Sequence, residues 1–435
     1  MTLFLDATDP DFEQAFTHLL SMKREEDEDV DAAVAAIIAD VRARGDAAVI
    51  ELTARFDGLQ LTPESLELGD DEIDTLCARV SDEDAAALAL AADRIRAYHE
   101  RQMPQDASWE DEAGAHLGWR WCPVDAAGLY VPGGLASYPS SVLMNAVTAK
   151  VAGVPQLTMV APTPRGVINP LVVYAARLAG VDRIYRIGGA QAVAALAYGT
   201  ETIAPVDKIT GPGNAYVAAA KRRVFGRVGI DMIAGPSEVL VIADQENDPD
   251  WIATDLLSQA EHDASAQSIL ITTEAGFGRA VSAAVDRQLE TLERAEIAGA
   301  SWRDFGAVIT VPDLHTAALL ANRIAPEHLE LCVAAPEALA CEIRHAGAVF
   351  LGKWSPEAVG DYIAGPNHVL PTARSARFSS GLSVLDFLKR TTLTQMTPAS
   401  LQAVGPAAET LAEAEGLYAH GQSVAARLRQ LNSKS

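Results

Sequence analysis

DRIYRIGGAQAVAALAYGT, residues 182–200, is followed closely by DKITGPGNAYVAAAKRRVFG, residues 207–226. Both stretches read alike: a short apolar run, a pair of glycines or a Gly-Pro-Gly turn, then an alanine-rich segment with helical spacing. Two strand–loop–helix units in succession predict parallel strands, because a chain that must re-enter a sheet in the same direction needs a crossover, usually a helix. The same rhythm extends outward. GLYVPGGLASYPSSVLMNAVTAKVAGV (128–154) reads as strand, Gly/Pro-rich loop and helix. QLTMVAPTP (156–164) is a further strand and NPLVVYAARLAGV (169–181) a further helix. A second series opens at AGPSEVLVIADQENDPDW (234–251) and continues with strands in SAQSILITTEAGFG, DFGAVITVPD and GAVFLGK.

The fold class that follows is α/β: two Rossmann-like parallel-sheet domains with small helical N- and C-terminal extensions. The expected divisions are a helical extension over 1–25, a first α/β domain from 26–127 together with 239–385, a second α/β domain over 128–238, and a helical extension over 386–435. The part before residue 127 reads as mainly helical, with DVDAAVAAIIADVRARGDAAVIELTARFD (29–57) and SDEDAAALALAADRIRAYHERQM (81–103) at helical spacing. Ser81 is a cap for the second of these. Asp84 at the third helical position is a short substitute for the Glu or Gln of a capping box. The last fifty residues are too few to bury a core alone, so they are expected to pack on another domain or another subunit.

Composition bounds the function. The chain has 435 residues, 49% of them hydrophobic and 6% aromatic, and 34 Lys+Arg against 59 Asp+Glu give a net charge of −25. So acidic a surface repels nucleic-acid backbones and anionic lipid, which argues against both as partners. The apolar stretch AAALALAA (85–92) is far too short to span a bilayer. The first residues, MTLFLDATDPDFEQ, lack the basic and apolar pattern of a secretory signal. Cys77, Cys122, Cys332 and Cys341 are scattered without a CxxC pair and read as ordinary reduced thiols. A cytoplasmic enzyme or binding protein is expected.

Six places carry candidate chemistry. In DLLSQAEHD (255–263), Asp248 caps and Pro249 opens a helix whose apolar arc is Ile252, Ala253, Leu256, Leu257 and Ala260. Asp255, Gln259 and His262 fall on the other side. They form either a solvated polar face or a mixed N/O pair of metal ligands. In APEHLEL (325–331), Glu327 adjoins His328 after Pro326, a pair suited to moving protons if it is more than chance. On a helix, which Pro326 could open, adjacent side chains do not face one another, so the two would serve different atoms. Asp361 and His368 lie in GDYIAGPNHVLPT (360–372), where Asp361 is either a turn former or a site residue. His420 follows Glu415 on the small C-terminal piece and alone would be a surface histidine. The loops IGGAQ (187–191) and GPGN (211–214) are either anion cradles or tight strand–helix connections; neither is a G-x-G-x-x-G or Walker loop.

Together these segments resemble the histidinol dehydrogenase family. The motifs that carry the resemblance are GLYVPGG (128–134), YPSSVLMNA (138–146), IGGAQAVAALAYGT (187–200), VDKITGPGN (206–214), IDMIAGPSEVLVIAD (230–244), DLLSQAEHD, APEHLEL, GDYIAGPNHVLPT and EGLYAHGQSV (415–424). The resemblance implies a zinc- and NAD-dependent oxidation of L-histidinol to L-histidine through bound L-histidinal, at the end of histidine biosynthesis. It implies Glu327 and His328 as acid/base residues and Gln259, His262, Asp361 and His420 as zinc ligands, the last from the partner of a domain-swapped homodimer. Substrate contacts would fall on Ser237, Gln259, His262, His328, Asp361, Glu415 and His420. NAD contacts would fall on Tyr130, Gln191 and Asn214, within the 128–238 domain. The alternatives are a dehydrogenase of the same family acting on a different small polar alcohol, a zinc hydrolase in which Glu327 activates water, and a binding protein without turnover.

Overall fold

The computed structural model describes residues 2–22, 28–133, 138–233 and 235–433. Strand β1 (Leu3–Asp6) opens the chain, and β2 (Ala107–Glu110) and β3 (His116–Pro123) come after a long helical stretch. β4 (Ala126–Tyr130), β5 (Gln156–Val160), β6 (Arg183–Tyr185), β7 (Lys208–Thr210) and β8 (Gly229–Ile230) form one series. β9 (Glu238–Ala243), β10 (Gln267–Thr272), β11 (Ala307–Thr310), β12 (His328–Cys332) and β13 (Ala348–Leu351) form another, and β14 (Leu388–Gln395) closes the set. Two compact units contain them: one is residues 1–101 with 125–387, the other 102–124 with 388–435.

The larger unit holds two parallel sheets, as the strand–loop–helix rhythm predicts. One has the order β6-β5-β4-β7-β8 and the other β1-β11-β10-β9-β12-β13. Both are doubly wound. The chain builds outward from β4 through β5 to β6, then returns to the other side of β4 with β7 and β8. In the second sheet it builds from β9 through β10 to β11 and returns beside β9 with β12 and β13. Each sheet therefore has a switch point, between β4 and β7 and between β9 and β12.

Burial follows from layering. In β9, Leu240 and Ile242 face one apolar cluster with the helices Phe12–Ser21 and Leu314–Ile324. Val239, Val241 and Ala243 face the opposite cluster with the helices Pro249–Ala260, Ala275–Leu289 and Ala295–Phe305. The strand is apolar on both faces because both are covered. On the five-stranded sheet, the helix Gly189–Tyr198 is buried along almost its whole length because further helices cover it.

Three features differ from the sequence-based expectation. Residues 3–6 form an edge strand paired in parallel with β11, ahead of the expected helix at Phe12–Ser21. The helices Glu28–Arg44 and Asp46–Asp57, grouped above with the strands after residue 239, pack instead with the core of the five-stranded sheet. The second unit is not wholly helical: β14 pairs antiparallel with β3 over eight residues, and β2 completes a three-stranded antiparallel sheet. The sequence LKRTTLTQ of β14 is mostly exposed and polar on both sides, so it lacks the apolar alternation that announces a strand. Ser81 caps its helix as expected, its hydroxyl accepting from Asp84 N–H (3.1 Å), and the Asp84 carboxylate accepts from that hydroxyl (2.7 Å) rather than from the Ser81 backbone. Among the described residues, no helix is long and apolar enough to cross a membrane.

Candidate functional site

The central group is His328. It begins β12 and is 4% exposed. APEHLEL does not open a helix at Pro326. Ala325 adopts a left-handed conformation after the preceding helix, and the chain runs straight into the strand. Parallel pairing lays the starts of β9 and β12 side by side, with His328 opposite Val239. Two bonds tie the strands there. Glu238 N–H donates to Glu327 Oε2 at 2.9 Å, and the Glu238 carbonyl lies 3.1 Å from His328 Nδ1. A carbonyl only accepts, so Nδ1 carries the proton and Nε2 keeps its lone pair. That Nε2 is buried without a hydrogen-bond partner. Burial holds the imidazole pKa down to about 4, with Asp361 and the Glu238 carbonyl opposing and His368 and His262 assisting. The ring is thus neutral at physiological pH with a free basic nitrogen.

Carboxylates surround it. Glu327 Oε2 and Glu357 Oε1 each lie 3.7 Å from Nδ1, and Asp361 Oδ1 lies 3.8 Å from Nε2. His328, Glu357 and Asp361 bring one donor atom each within 4.8 Å of one another, a spacing a metal ion can bridge. Asp361 lies in a short helix, Glu357–Tyr362, not in a turn. Its carbonyl accepts from His368 Nδ1 at 2.9 Å, and His368 Nε2 meets the Ser141 hydroxyl at 3.2 Å. Gln259 occupies the last turn of Pro249–Ala260, a helix capped by Asp248 and opened by Pro249 as expected. Its side is no solvated face. Gln259 is fully buried, and neither its amide nitrogen nor its amide oxygen has a hydrogen-bond partner. Burying an amide unpaired costs roughly 1–3 kcal/mol, so the site is built for something that supplies a partner. His262 is exposed just beyond the helix end, and its charge is felt at both His328 and His368. Ser237 stands half-buried just before β9.

This cluster gathers at the N-terminal edge of the six-stranded sheet, whereas ligands of such sheets are expected at the C-terminal edge. The C-terminal rule does describe the five-stranded sheet. Tyr130 ends β4, and its hydroxyl accepts from Gly189 N–H at 3.0 Å; burial raises its pKa to about 12. Gln191 is 2% exposed, with its Oε1 lacking a partner. Asn214 caps Ala215–Val224, its Oδ1 accepting from Tyr216 N–H (3.1 Å) and Val217 N–H (3.2 Å). Tyr130 and the Gly211–Asn214 turn flank the β4/β7 switch point. Residues 134–137, the last glycine of GLYVPGG and the three residues after it, lie outside the described residues.

Glu415 and His420 belong to the second unit and are exposed, Glu415 ending one helix and His420 in the first turn of the next. Sequence reading did not single out Glu238, Glu330 or Glu357. Glu330 is fully buried on β12, and its Oε1 accepts from Glu357 N–H at 2.6 Å. Asp255 meets the Glu330 side chain, and burial pushes its pKa up to about 6. Burial first, then Asp255, raises Glu330 well above the carboxylate range. Burial first, then Asp361, Glu330, Glu327 and Asp255, does the same to Glu357. One signal was available: in a strand, Glu330 shares a face with His328.

A doubly wound α/β enzyme with an acid–base site at one sheet and a glycine-loop cleft at the other is the class defined so far. A profile of the histidinol dehydrogenase family matches residues 20–428. The histidinol dehydrogenase of Cereibacter sphaeroides is 74% identical over 432 residues, covering 99% of this chain and all of that protein. That of Rhodospirillum rubrum is 66% identical, covering 99% of each. A crystal structure of histidinol dehydrogenase from Elizabethkingia anophelis superposes with a TM-score of 0.94 at 38% identity, over 99% of both chains. The chain belongs to the histidinol dehydrogenase family and is an oxidoreductase.

The buried acids generate a pH-dependent stability. The Asp255 pKa is raised from 3.8 to about 6, so the folded state holds a proton that the unfolded chain releases. Stability from this group is full below 3.8 and lost as pH rises through about 6. Asp255→Asn is expected to stabilise chelator-treated protein at pH 8 by at least about 1 kcal/mol, with little gain at pH 4.5. Thermal midpoints of both proteins at the two pH values check this; equal shifts at both would contradict it.

Proposed function

We propose that the protein oxidises L-histidinol to L-histidine through bound L-histidinal, in two hydride transfers to NAD, and so completes histidine biosynthesis in the cytoplasm. The observation that carries the chemistry is His328: buried, neutral, with Nδ1 occupied by the Glu238 carbonyl and Nε2 free. That is the state a general base needs.

Gln259, His262 and Asp361 would hold zinc, with His420 as a fourth ligand from a second copy of the chain. The orphaned amide of the fully buried Gln259 fits this role, as does the carboxylate of Asp361 beside His328. A zinc ion bound by nitrogen and oxygen ligands would polarise and orient the substrate. Ser237 and Glu415 would contact the substrate with these residues, Glu415 and His420 both reaching it from the partner. Tyr130, Gln191 and Asn214 would hold NAD at the C-terminal edge of the five-stranded sheet. Gln191 Oε1 lacks a partner there, and Asn214 Oδ1 is committed to its helix, which leaves its NH2 group to donate outward.

His328 Nε2 takes the carbinol proton as hydride leaves the adjoining carbon. The developing imidazolium is stabilised by the carboxylate of Asp361, 3.8 Å away. Glu327, fixed by the Glu238 N–H, then removes a proton from the water that adds to the aldehyde. His328, returned to neutrality, accepts the hydrate's proton in the second oxidation. Keeping the aldehyde in the site prevents its loss between steps.

NADH formed per L-histidinol consumed is the direct test. Two equivalents are expected, abolished by a chelator and restored by zinc. Turnover of another alcohol but not histidinol would leave the scaffold with a different substrate. For the role of Glu327, Glu327→Gln is expected to spare the first oxidation and slow the second by about 100-fold or more in single-turnover assays. Equal loss in both steps would assign Glu327 elsewhere. For the shared site, His420→Asn and His328→Asn homodimers are each expected to be inactive, while mixed dimers should regain about a quarter to a half of the activity. Mixed dimers as inactive as their parents would mean each chain supplies its own His420.

A further inference from the structure

We propose that Lys221 and Asp231 are positioning residues for the dinucleotide, a buried ion pair that grips Gly211 by both its N–H and its carbonyl and sets the shape of the 211–214 turn. The inference rests on the reading of that turn as a cofactor cradle. Lys221 projects from the helix Ala215–Val224, seven residues and two turns beyond its cap Asn214, so both lie on one face of it. Side chains on a helix lean toward its N-terminus, which carries the ammonium back beneath the turn. There Nζ donates to the Gly211 carbonyl at 2.9 Å and pairs with Asp231 Oδ1. Asp231, just after β8, accepts from Gly211 N–H through Oδ2 at 2.8 Å and from Met232 N–H through Oδ1 at 2.7 Å. The two side chains are 2% and 1% exposed.

Gly211 is the position in most need of such a grip. Its φ is +109°, a region L residues rarely adopt, and a Cβ there would lie 2.1 Å from the Tyr130 carbonyl oxygen. The turn is pressed against the end of β4, beside the residue that would meet the nicotinamide dinucleotide, and its backbone is held from beneath by the pair. Stability alone does not account for a lysine in this place, because a fully buried ion pair gains little or nothing over an apolar pair of similar volume. The charges cancel, so the pair adds little to the attraction of phosphate. Its contribution is orientation: it fixes the peptide that precedes the N-terminus of Ala215–Val224, the end where an anion is favoured.

The test is NAD affinity of the intact enzyme without histidinol, by calorimetry, alongside the thermal midpoint and the split between KM for NAD and kcat. Lys221→Met/Asp231→Asn removes both charges together and avoids stranding either one. It is expected to weaken NAD binding by about tenfold or more, raise KM for NAD in step, and leave kcat at saturating NAD within about twofold. NAD affinity within about twofold of wild type would overturn the clamp, as would a loss confined to kcat. If the double variant does not fold, Lys221→Gln carries the same expectation and the same refutation. Wild-type enzyme that binds no NAD overturns the cofactor reading, and the clamp's purpose with it. Wild-type binding with an unchanged variant overturns the clamp alone.

Discussion

The parallel register between β9 and β12 is the constraint on which the site depends. It sets His328 beside the Glu238 carbonyl and Glu327 beside the Glu238 N–H, so the backbone of one residue orients both side chains. A one-residue slip would turn every side chain of β12 to the opposite face. The register is protected because both faces of β9 are packed in apolar clusters, and either displaced set would have to enter the wrong one. Precision at the His328 ring is thus inherited from the core. Glu327 stands just before the strand and His328 begins it, yet their side chains converge, with Glu327 Oε2 3.7 Å from His328 Nδ1, because both are anchored to the same residue across the ladder.

The acids behind His328 make the opposite trade. Burial raises the pKa of Asp255, Glu330 and Glu357; Asp255 adds to the rise at Glu330, and both add to the rise at Glu357, while the Glu330 contact draws Asp255 back down. Two carboxyl groups that meet in the interior stay together by sharing a proton, since two bare carboxylates offer only acceptors. Through Glu330, β12 is bonded to the backbone at the start of Glu357–Tyr362 and to the Asp255 side chain on Pro249–Ala260. The first of those helices carries Asp361 to within 3.8 Å of His328 Nε2, and the second carries the buried Gln259. The cost of burying the acids is the cost of fixing three elements around one imidazole.

Much of this was legible in the chain itself. Two successive strand–glycine–helix units sufficed for parallel sheets, and the cap at Asp248 with Pro249 placed the start of the Gln259 helix to the residue. Among the residues named from motifs, Glu327, His328 and Asp361 meet at the six-stranded sheet, while Tyr130 and the Gly211–Asn214 turn flank the switch point of the five-stranded one. What escaped reading had physical reasons. Periodicity assigns a polar flank to solvent, so Gln259 and Asp255 read as a wet face although a second layer of structure covers them. Pro326 is compatible with a helix start, and the left-handed Ala325 that sends the chain into a strand instead is a tertiary choice. Glu357 leaves no local mark at all, because its proximity to His328 arises from a pairing between distant segments. The antiparallel sheet of the second unit was silent because β14 has no apolar face to alternate.

Helix polarity gives the two groups of residues a common logic. In a doubly wound sheet the helices run antiparallel to the strands, so the C-terminal edge of the sheet collects helix N-termini and the N-terminal edge collects helix C-termini. The first end carries partial positive charge and the second partial negative charge. At the five-stranded sheet the starts of Gly189–Tyr198 and Ala215–Val224 face the cleft beside Tyr130, where the pyrophosphate of a dinucleotide would be welcome despite a net charge of −25 on the whole chain. At the six-stranded sheet it is the last turn of Pro249–Ala260 that delivers Gln259, with His262 just beyond, and this end favours a cation. An anionic cofactor and a metal ion thus call for opposite edges of a parallel sheet. One sheet presents a single binding edge of each polarity, and its switch point opens a crevice at only one of them. Two doubly wound sheets, each used at a different edge, would let one chain hold both.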